Sequence, residues 1–407
     1  MKENLDPAPP GRISACLIAR DEATRIGRCL DSLRFLGRLL HEVVVYDTGS
    51  VDDTREVAAE SGTIVITGYW DDDFSRARNA GIEAATGDWA LIVDADEEIV
   101  VDVDALAVQL RDLPAEMDGL ACWVINLDED GEHTERSRRC GLFRRDRLRY
   151  RGAIHESPRT AEGGSPAVQA VGEDVLQIWH HGYRDRTYSV EKVLRNAAIA
   201  DVEISRLRSR GSTRSDELAW ALFHRARSRL TEQERPVAAA EYREVIGLTQ
   251  DASLRQAALE CLMDVHLDSG EHDEAAHCLD ALVRTGAPGS YAWWGAVRVA
   301  VGLQDLETAE AILAGIDTVE TSLGVQAPRH YLWEARAQVA EALGKRSEAL
   351  AYLLTSMVQT GQVEGKGPWL LRLWDGSIDQ LTELVRQRAA SPDQVQAVLR
   401  ELAKGDR

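Results

Sequence analysis

The chain has 407 residues, 44% hydrophobic and 28% charged, the make-up of a folded soluble protein with room for two or three domains. A formal net charge of −21 argues against nucleic acid and against an anionic membrane surface as partners. No run reaches about 18 apolar residues and the opening lacks a signal-peptide pattern, so no membrane span is expected and the cytoplasm is the expected location. The six cysteines form no C-x-x-C pair and read as reduced, mostly buried thiols.

Residues 1–12 are expected to form a flexible tail. From Ile13 to about Val93 short apolar runs alternate with helical patterns, the signature of βαβ units on a parallel sheet. "ISACLIA" is the first predicted strand, and Ile26, Cys29, Leu30 and Leu33 follow at helical spacing. "EVVVYD" is the second strand. Ser50 is the expected N-cap, with Asp53 three residues on, of a helix ending near Ser61. "TIVITG", "FSRARNAGIEAAT" and "WALIVD" read as strand, helix and strand, and beyond Leu120 mixed strands extend the sheet.

After His181 the pattern is helical. Arg208–Ser215, polar and without apolar period, is the expected hinge. "GEHDEAAHCLDAL", "LQDLETAEAIL" and "GKRSEALAYLL" then repeat a turn before a small-residue helix start. Their alanines Ala275, Ala309 and Ala349 are spaced by 34 (275 to 309) and 40 (309 to 349) residues. The first spacing is the tetratricopeptide period. "RPVAAAEYREVI" around Ala239 is a degenerate earlier copy. The expected division is an α/β domain over 13–185, a connecting helix and hinge over 186–215, and an all-α tetratricopeptide-like domain over 216–407.

The chemistry centres on "WALIVDADEE". A buried parallel strand here ends in Asp94, Asp96, Glu97 and Glu98, at the edge where open α/β sheets place ligands. Two aspartates one residue apart repel unless a cation lies between them, and hard oxygen donors favour Mg²⁺ or Mn²⁺. A Walker B carboxylate would need a phosphate loop, which the chain lacks. A dehalogenase-like phosphatase would carry D-x-D on its first strand; here it follows the fourth.

"ISACLIARDEATRIGRCLDSL", "EVVVYDTGSVDDT" and "DDFSRARNAGIEAATGDWALIVDADEE" together resemble family 2 glycosyltransferases of the GT-A fold. "RRCGLFRRDRLRYRGAIHES" and "IWHHGYRDRTYSVEKVLRNA" are similar to the subgroup that carries a tetratricopeptide tail and includes the sublancin-type peptide S-glycosyltransferases. The resemblance implies an inverting, metal-dependent transferase using a nucleotide sugar, most commonly a UDP-sugar, with a peptide or protein among the possible acceptors. It implies that Asp96 is the direct metal ligand and that Asp94 lies nearer the ribose or the metal's waters. By the same resemblance Asp47 reads the base, Ala19 and Glu22 line its pocket, and Arg78 faces the base or diphosphate.

Either His180 or His181 could join the metal shell, since alternation along a strand points them to opposite faces. The choice falls on His181, beside the loop glycine Gly182. Glu156 is the candidate general base, because inversion needs a carboxylate to take the nucleophile's proton; the alternative is an ion pair with an arginine such as Arg151. Tyr291, Trp293 and Trp294 in "YAWWGAV" divide between core packing and an acceptor or homodimer contact. The competing reading is an inactive nucleotide-sugar fold whose repeats recruit a protein.

Overall fold

The computed structural model describes residues 11–127, 133–181, 186–209, 216–229, 232–287, 289–389 and 391–405. Most of the expected N-terminal tail and of the expected hinge lies outside them. Contacts divide the chain into two compact units, Met1–Gln250 and Asp251–Arg407.

The first unit is built on a mixed sheet. Strands β1 (Ile13–Ala19), β2 (Leu40–Asp47), β3 (Ile64–Thr67) and β4 (Trp89–Ile92) are mutually parallel, in the order β3-β2-β1-β4. Helices α1 (Ile26–Leu33), α2 (Thr54–Glu60) and α3 (Phe74–Ala84) connect them, as the alternating pattern predicts. Beyond β4 come β5 (Glu97–Val101), helix α4 (Val103–Asp112), β6 (Gly119–Leu127), β7 (His133–Arg144), the small β8–β9 hairpin (Arg149–Arg151 and Ser157–Arg159), β10 (Val168–Ala170) and β11 (Leu176–His180). Strand β7 pairs antiparallel with β4 and β6, while β11 lies parallel to β6 and antiparallel to β5.

Both faces of the sheet are covered, which is why its central strands read as continuous apolar runs. Ala15, Leu17, Leu91 and Val93 face a core completed by Ile26, Leu30 and Leu33 of α1 and Leu106 and Leu110 of α4. Cys16, Ala90 and Ile92 face the other way, against Ile82 of α3 and Phe143. This alternation fixes the register: a one-residue slip would exchange the two cores. The start of α2 departs from expectation. Asp53, not Ser50, is its N-cap residue, because the Ser50 hydroxyl is bonded elsewhere.

Three further helices complete this unit: α5 (Arg186–Ser209), α6 (Asp216–Arg227) and α7 (Arg235–Leu248). The degenerate repeat around Ala239 is α7, so by contacts it belongs with the sheet-bearing unit.

The second unit contains helical hairpins α8/α9 (Ala252–Asp268, His272–Arg284), α10/α11 (Gly289–Gly302, Leu306–Leu313) and α12/α13 (Arg329–Ala342, Arg346–Thr360), followed by α14 (Gly367–Leu373), α15 (Ile378–Arg388) and α16 (Pro392–Gly405). Ala275, Ala309 and Ala349 are fully buried near the starts of α9, α11 and α13, where only a small side chain lets the paired helices approach. Each hairpin turn has a left-handed residue: Gly270 (φ 72°), Gln304 (φ 64°) and Gly344 (φ 77°). The 40-residue spacing arises because a segment between α11 and α12 forms a strap. Glu320 and Gln326 pair across it, and the Glu260 carboxylate of α8 accepts from the Ser322 N–H (2.9 Å) and hydroxyl (2.6 Å). In α10 Tyr291 is buried and Trp293 is 57% exposed; Trp294 is half-buried, so the tyrosine is the principal core aromatic of the three.

Gln304 pays for a conformation that glycine adopts freely. Gln304→Gly is expected to stabilise the second unit by up to about 1 kcal/mol, read as an upward shift in denaturation midpoint. A lower midpoint would show that the glutamine side chain outweighs the backbone strain.

Candidate active site

The carboxyl ends of β1, β2 and β4 open onto a cavity of about 510 Å³, lined also from α3, β11 and α5. Its floor is made by two loops tied together. After β1, Asp21 sits at φ 55°, with its N–H donating to Ser50 Oγ (3.0 Å) and its carboxylate accepting from the Val51 N–H (2.8 Å). The Glu22 and Ala23 N–H groups donate to Thr54 Oγ1 and Asp52 across the same seam. Asp47 anchors it: fully buried, it accepts from the Gly49 and Ser50 N–H groups and from the Ser50 hydroxyl. Asp47 therefore shapes the loop, while Thr48, bonded to the Ala19 carbonyl, lines the cavity. Ala19 and Glu22 also line the cavity.

A chain of alternating charges meets the cavity at Arg78 and Asp94 and continues through residues that do not line it. Arg78 of α3 donates from Nη2 to Asp94 (2.8 Å) and from Nε to Glu156 (2.6 Å). Arg139 of β7 donates from Nη2 to Glu97 (2.5 Å), with its Nη1 3.9 Å from Asp94. Burial pushes the Asp94 carboxyl up, but Arg78 and Arg139 outweigh it and hold Asp94 well below the usual carboxylate range. Burial is the leading cause of the upward shift at Glu97, which Arg139 only partly offsets. Burial likewise opposes the Arg78 charge, and Asp94 and Glu156 more than restore it.

Glu156 is thus an arginine's partner, although the arginine is Arg78 rather than Arg151. Its side chain is 10% exposed and it is not among the residues lining the cavity, so the structure does not present it as a free base.

The histidine expectation changes. His180 lines the cavity, its Nε2 3.4 Å from Asp96 and its Nδ1 3.0 Å from Asn126 Oδ1. His181 turns its ring to Glu98 (3.0 Å), and its backbone N–H donates to the Asp96 carbonyl. The cause is register: β11 runs antiparallel to β5 with His180 opposite Glu97, one strand-end from Asp96. Burial lowers the His180 pKa, but its hydrogen bond and attraction to Asp96 raise it above the ordinary imidazole value overall.

Several lining residues escaped the sequence reading. Arg20, Arg25 and Arg195 add cationic groups to the wall, and Trp70 and Phe74 add a T-shaped aromatic pair with ring centroids 4.6 Å apart. The Arg195 guanidinium of α5 lies 5.7 Å from the Phe74 ring. Such a cavity suits a ligand with a flat apolar portion and a strongly anionic one.

Residues 14–162 match the family model described as glycosyl transferase family 2. Over this stretch the α/β unit is similar to family 2 glycosyltransferases, and a region of helical hairpins follows it. The chain is 36% identical over 185 residues to a TPR repeat-containing protein of Synechococcus elongatus, covering 44% of each. It is 28% identical over 200 residues to the SPbeta prophage-derived glycosyltransferase SunS of Bacillus subtilis, covering 48% of this chain and 45% of that protein. The chain spans about half the length of the curated relatives it matches. Among solved structures, glucosyl-3-phosphoglycerate synthase from Mycobacterium tuberculosis, in complex with Mn²⁺ and UDP-glucose, overlaps 47% of this chain and 78% of its own. That overlap has 18% identity and a TM-score of 0.32, too slight to argue from. No helix among the described residues is long and apolar enough to cross a membrane.

Proposed function

We propose that the chain transfers a sugar, with inversion, from a nucleotide sugar to an acceptor, with a UDP-sugar as the first donor to test. The observation that carries this is the convergence of Asp94, Asp96, His180 and four arginines on one cavity at the carboxyl ends of parallel strands. Asp94, already neutralised by Arg78 and Arg139, is suited to accept ribose hydroxyls. Arg20, Arg25 and Arg195 are suited to the diphosphate, whose charge grows as the bond to the sugar breaks.

Among the described residues no group of three or more His, Cys, Asp or Glu side chains forms a metal shell by itself. Asp96 with His180 is instead a two-donor set, which fits a Mg²⁺ or Mn²⁺ ion completed by diphosphate oxygens and water. When bound, the ion supplies Lewis-acid stabilisation of the leaving diphosphate. Asn126 orients the His180 ring so that Nε2 faces Asp96, the role an outer hydrogen bond plays for a metal-ligating histidine. The helical region, with Trp293 exposed on α10, is the proposed surface for a peptide or protein acceptor.

Calorimetry of UDP with and without Mn²⁺ tests the donor site. His180→Ala is expected to lose most of the Mn²⁺-dependent gain in affinity, and His181→Ala to keep it; the reverse order would overturn the assignment. The pH dependence has a definite sign. Because Asp96 raises the His180 pKa above its ordinary value, protons compete with metal over a range extending above pH 6.5. Mn²⁺-dependent affinity in the wild type should therefore fall on acidification, and the fall should be much smaller in His180→Ala.

A further inference from the structure

The run Arg144-Arg145-Asp146-Arg147, in the segment "RRDRLRYR", has no part in the donor cavity. It flanks Trp89, which opens β4, whereas Asp94 follows the other end of that strand. At about 3.3 Å per strand residue the two ends of β4 are separated by roughly 10 Å.

At this end lies a second cavity of about 300 Å³, lined by Gly87, Asp88, Trp89 and the four residues of the run. Its three guanidinium groups are pinned by backbone carbonyls. Arg144 Nε donates to Met117 O (3.1 Å), Arg145 Nε to Gly87 O (2.7 Å), and Arg147 Nη1 to Ala115 O (2.7 Å). Arg144 also lies over the Trp89 ring, 4.7 Å from its centroid. Among the described residues no carboxylate is within ion-pair distance of Arg144 or Arg145, and Arg147 has only Asp118 at 3.6 Å. Asp88 does not neutralise them closely, since its carboxylate takes the Arg12 N–H (2.8 Å) and faces Arg12 Nε at 3.6 Å.

A carbonyl fixes a guanidinium without cancelling its charge. Pinned through Nε, Arg144 and Arg145 retain terminal nitrogens in the planar fork that matches an oxyanion, and much of the ordering cost of binding has already been met. Arg144 and Arg145, with no carboxylate within ion-pair distance although Asp88 and Asp146 line the same cavity, repel each other, and an anion between them relieves that repulsion. We propose that this cavity is a binding site for a phosphoryl group, carried by inorganic phosphate or by a small phosphomonoester, and separate from the donor cavity. The proposal does not depend on the glycosyltransferase reading.

The test is calorimetric titration of the full chain, without nucleotide and at fixed ionic strength, with inorganic phosphate and with glycerol 3-phosphate. Wild type should bind saturably, and Arg195→Gln, altered only in the donor cavity, should keep the binding component that depends on Arg144 and Arg145. The double variant Arg144→Gln/Arg145→Gln should bind at least roughly tenfold more weakly, as expected for loss of charge-assisted forks. Binding of both probes would identify a pendant phosphate as the ligand, and binding of inorganic phosphate alone the free ion; either outcome supports the site. Absence of saturable binding to both probes in the wild type, or loss of binding in Arg195→Gln with retention in the double variant, would overturn it. Thermal melting reports whether the double variant folds. If it does not, Arg145→Lys decides: it keeps the charge and loses the fork, so unchanged affinity counts against the site and weakened affinity for it.

Discussion

Asp96→Ala is expected to reduce sugar transfer by roughly 10³-fold and to remove most of the Mn²⁺-dependent affinity for UDP, without unfolding the protein. The carboxylate lines the cavity and its side chain is 19% exposed, so its removal leaves no apolar void in either core of the sheet. The proposed two-donor set would be halved, leaving His180 alone to hold the cation. Asp96→Asn is the sharper variant, because it keeps the volume and one oxygen while removing the charge. Transfer assays with matched circular dichroism and calorimetry decide the matter. A folded variant with wild-type Mn²⁺-dependent UDP affinity would rule out Asp96 as the ligand, even if turnover were lost for another reason.

The second large effect is expected at Arg78. Arg78→Met should destabilise the first unit by about 3 kcal/mol, because it strands the nearly buried Glu156 and leaves Asp94 with Arg139 alone. Adding Glu156→Gln to that variant should recover part of the loss, since one stranded charge is then neutral; additive losses would mean that the two residues do not act as a pair. Glu156→Gln alone separates the roles open to it. As Arg78's partner it should weaken stability and donor binding together. As a base it would lower transfer by roughly 10²–10⁴ at unchanged donor affinity. The 2.6 Å contact to Arg78 and the absence of Glu156 from the cavity lining favour the first outcome.

Local pattern was enough to place β1 to β4, the intervening helices and the aspartates at the strand end. These features depend on short apolar runs and turn residues that lie together in the chain. What local pattern could not supply was pairing between distant segments. Whether His180 or His181 faces Asp96 depends on the antiparallel register of β11 with β5, and neither strand carries a local mark of its partner. Arg139 reaches Glu97 because β7 lies beside β4, and Arg195 reaches the cavity from a helix about a hundred residues beyond the aspartates. Asp47 shows a different limit. Its position at a strand end was legible, but its engagement by the Gly49 and Ser50 N–H groups follows from how the loop folds back. The weak spacing of 40 residues was likewise legible as an irregularity, and the strap between α11 and α12 explains it.

Burial of Glu260, the residue that strap is bonded to, couples folding of the second unit to proton uptake. Burial raises the Glu260 carboxyl from an ordinary 4.5 to about 7, more than its bonds from Ser322 lower it. A carboxyl whose folded pKa is raised binds its proton more tightly folded than unfolded, so it favours folding at low pH and loses that contribution as pH climbs from about 4.5 to about 7. The sign is opposite to that of a salt-bridged carboxylate such as Asp94. Mild acidification should therefore raise the stability of the folded second unit, and Glu260→Gln should flatten the response. Denaturation midpoints measured between about pH 7 and about pH 5 check it: a wild-type midpoint that does not rise relative to that of Glu260→Gln would mean that Glu260 stays ionised in the folded protein.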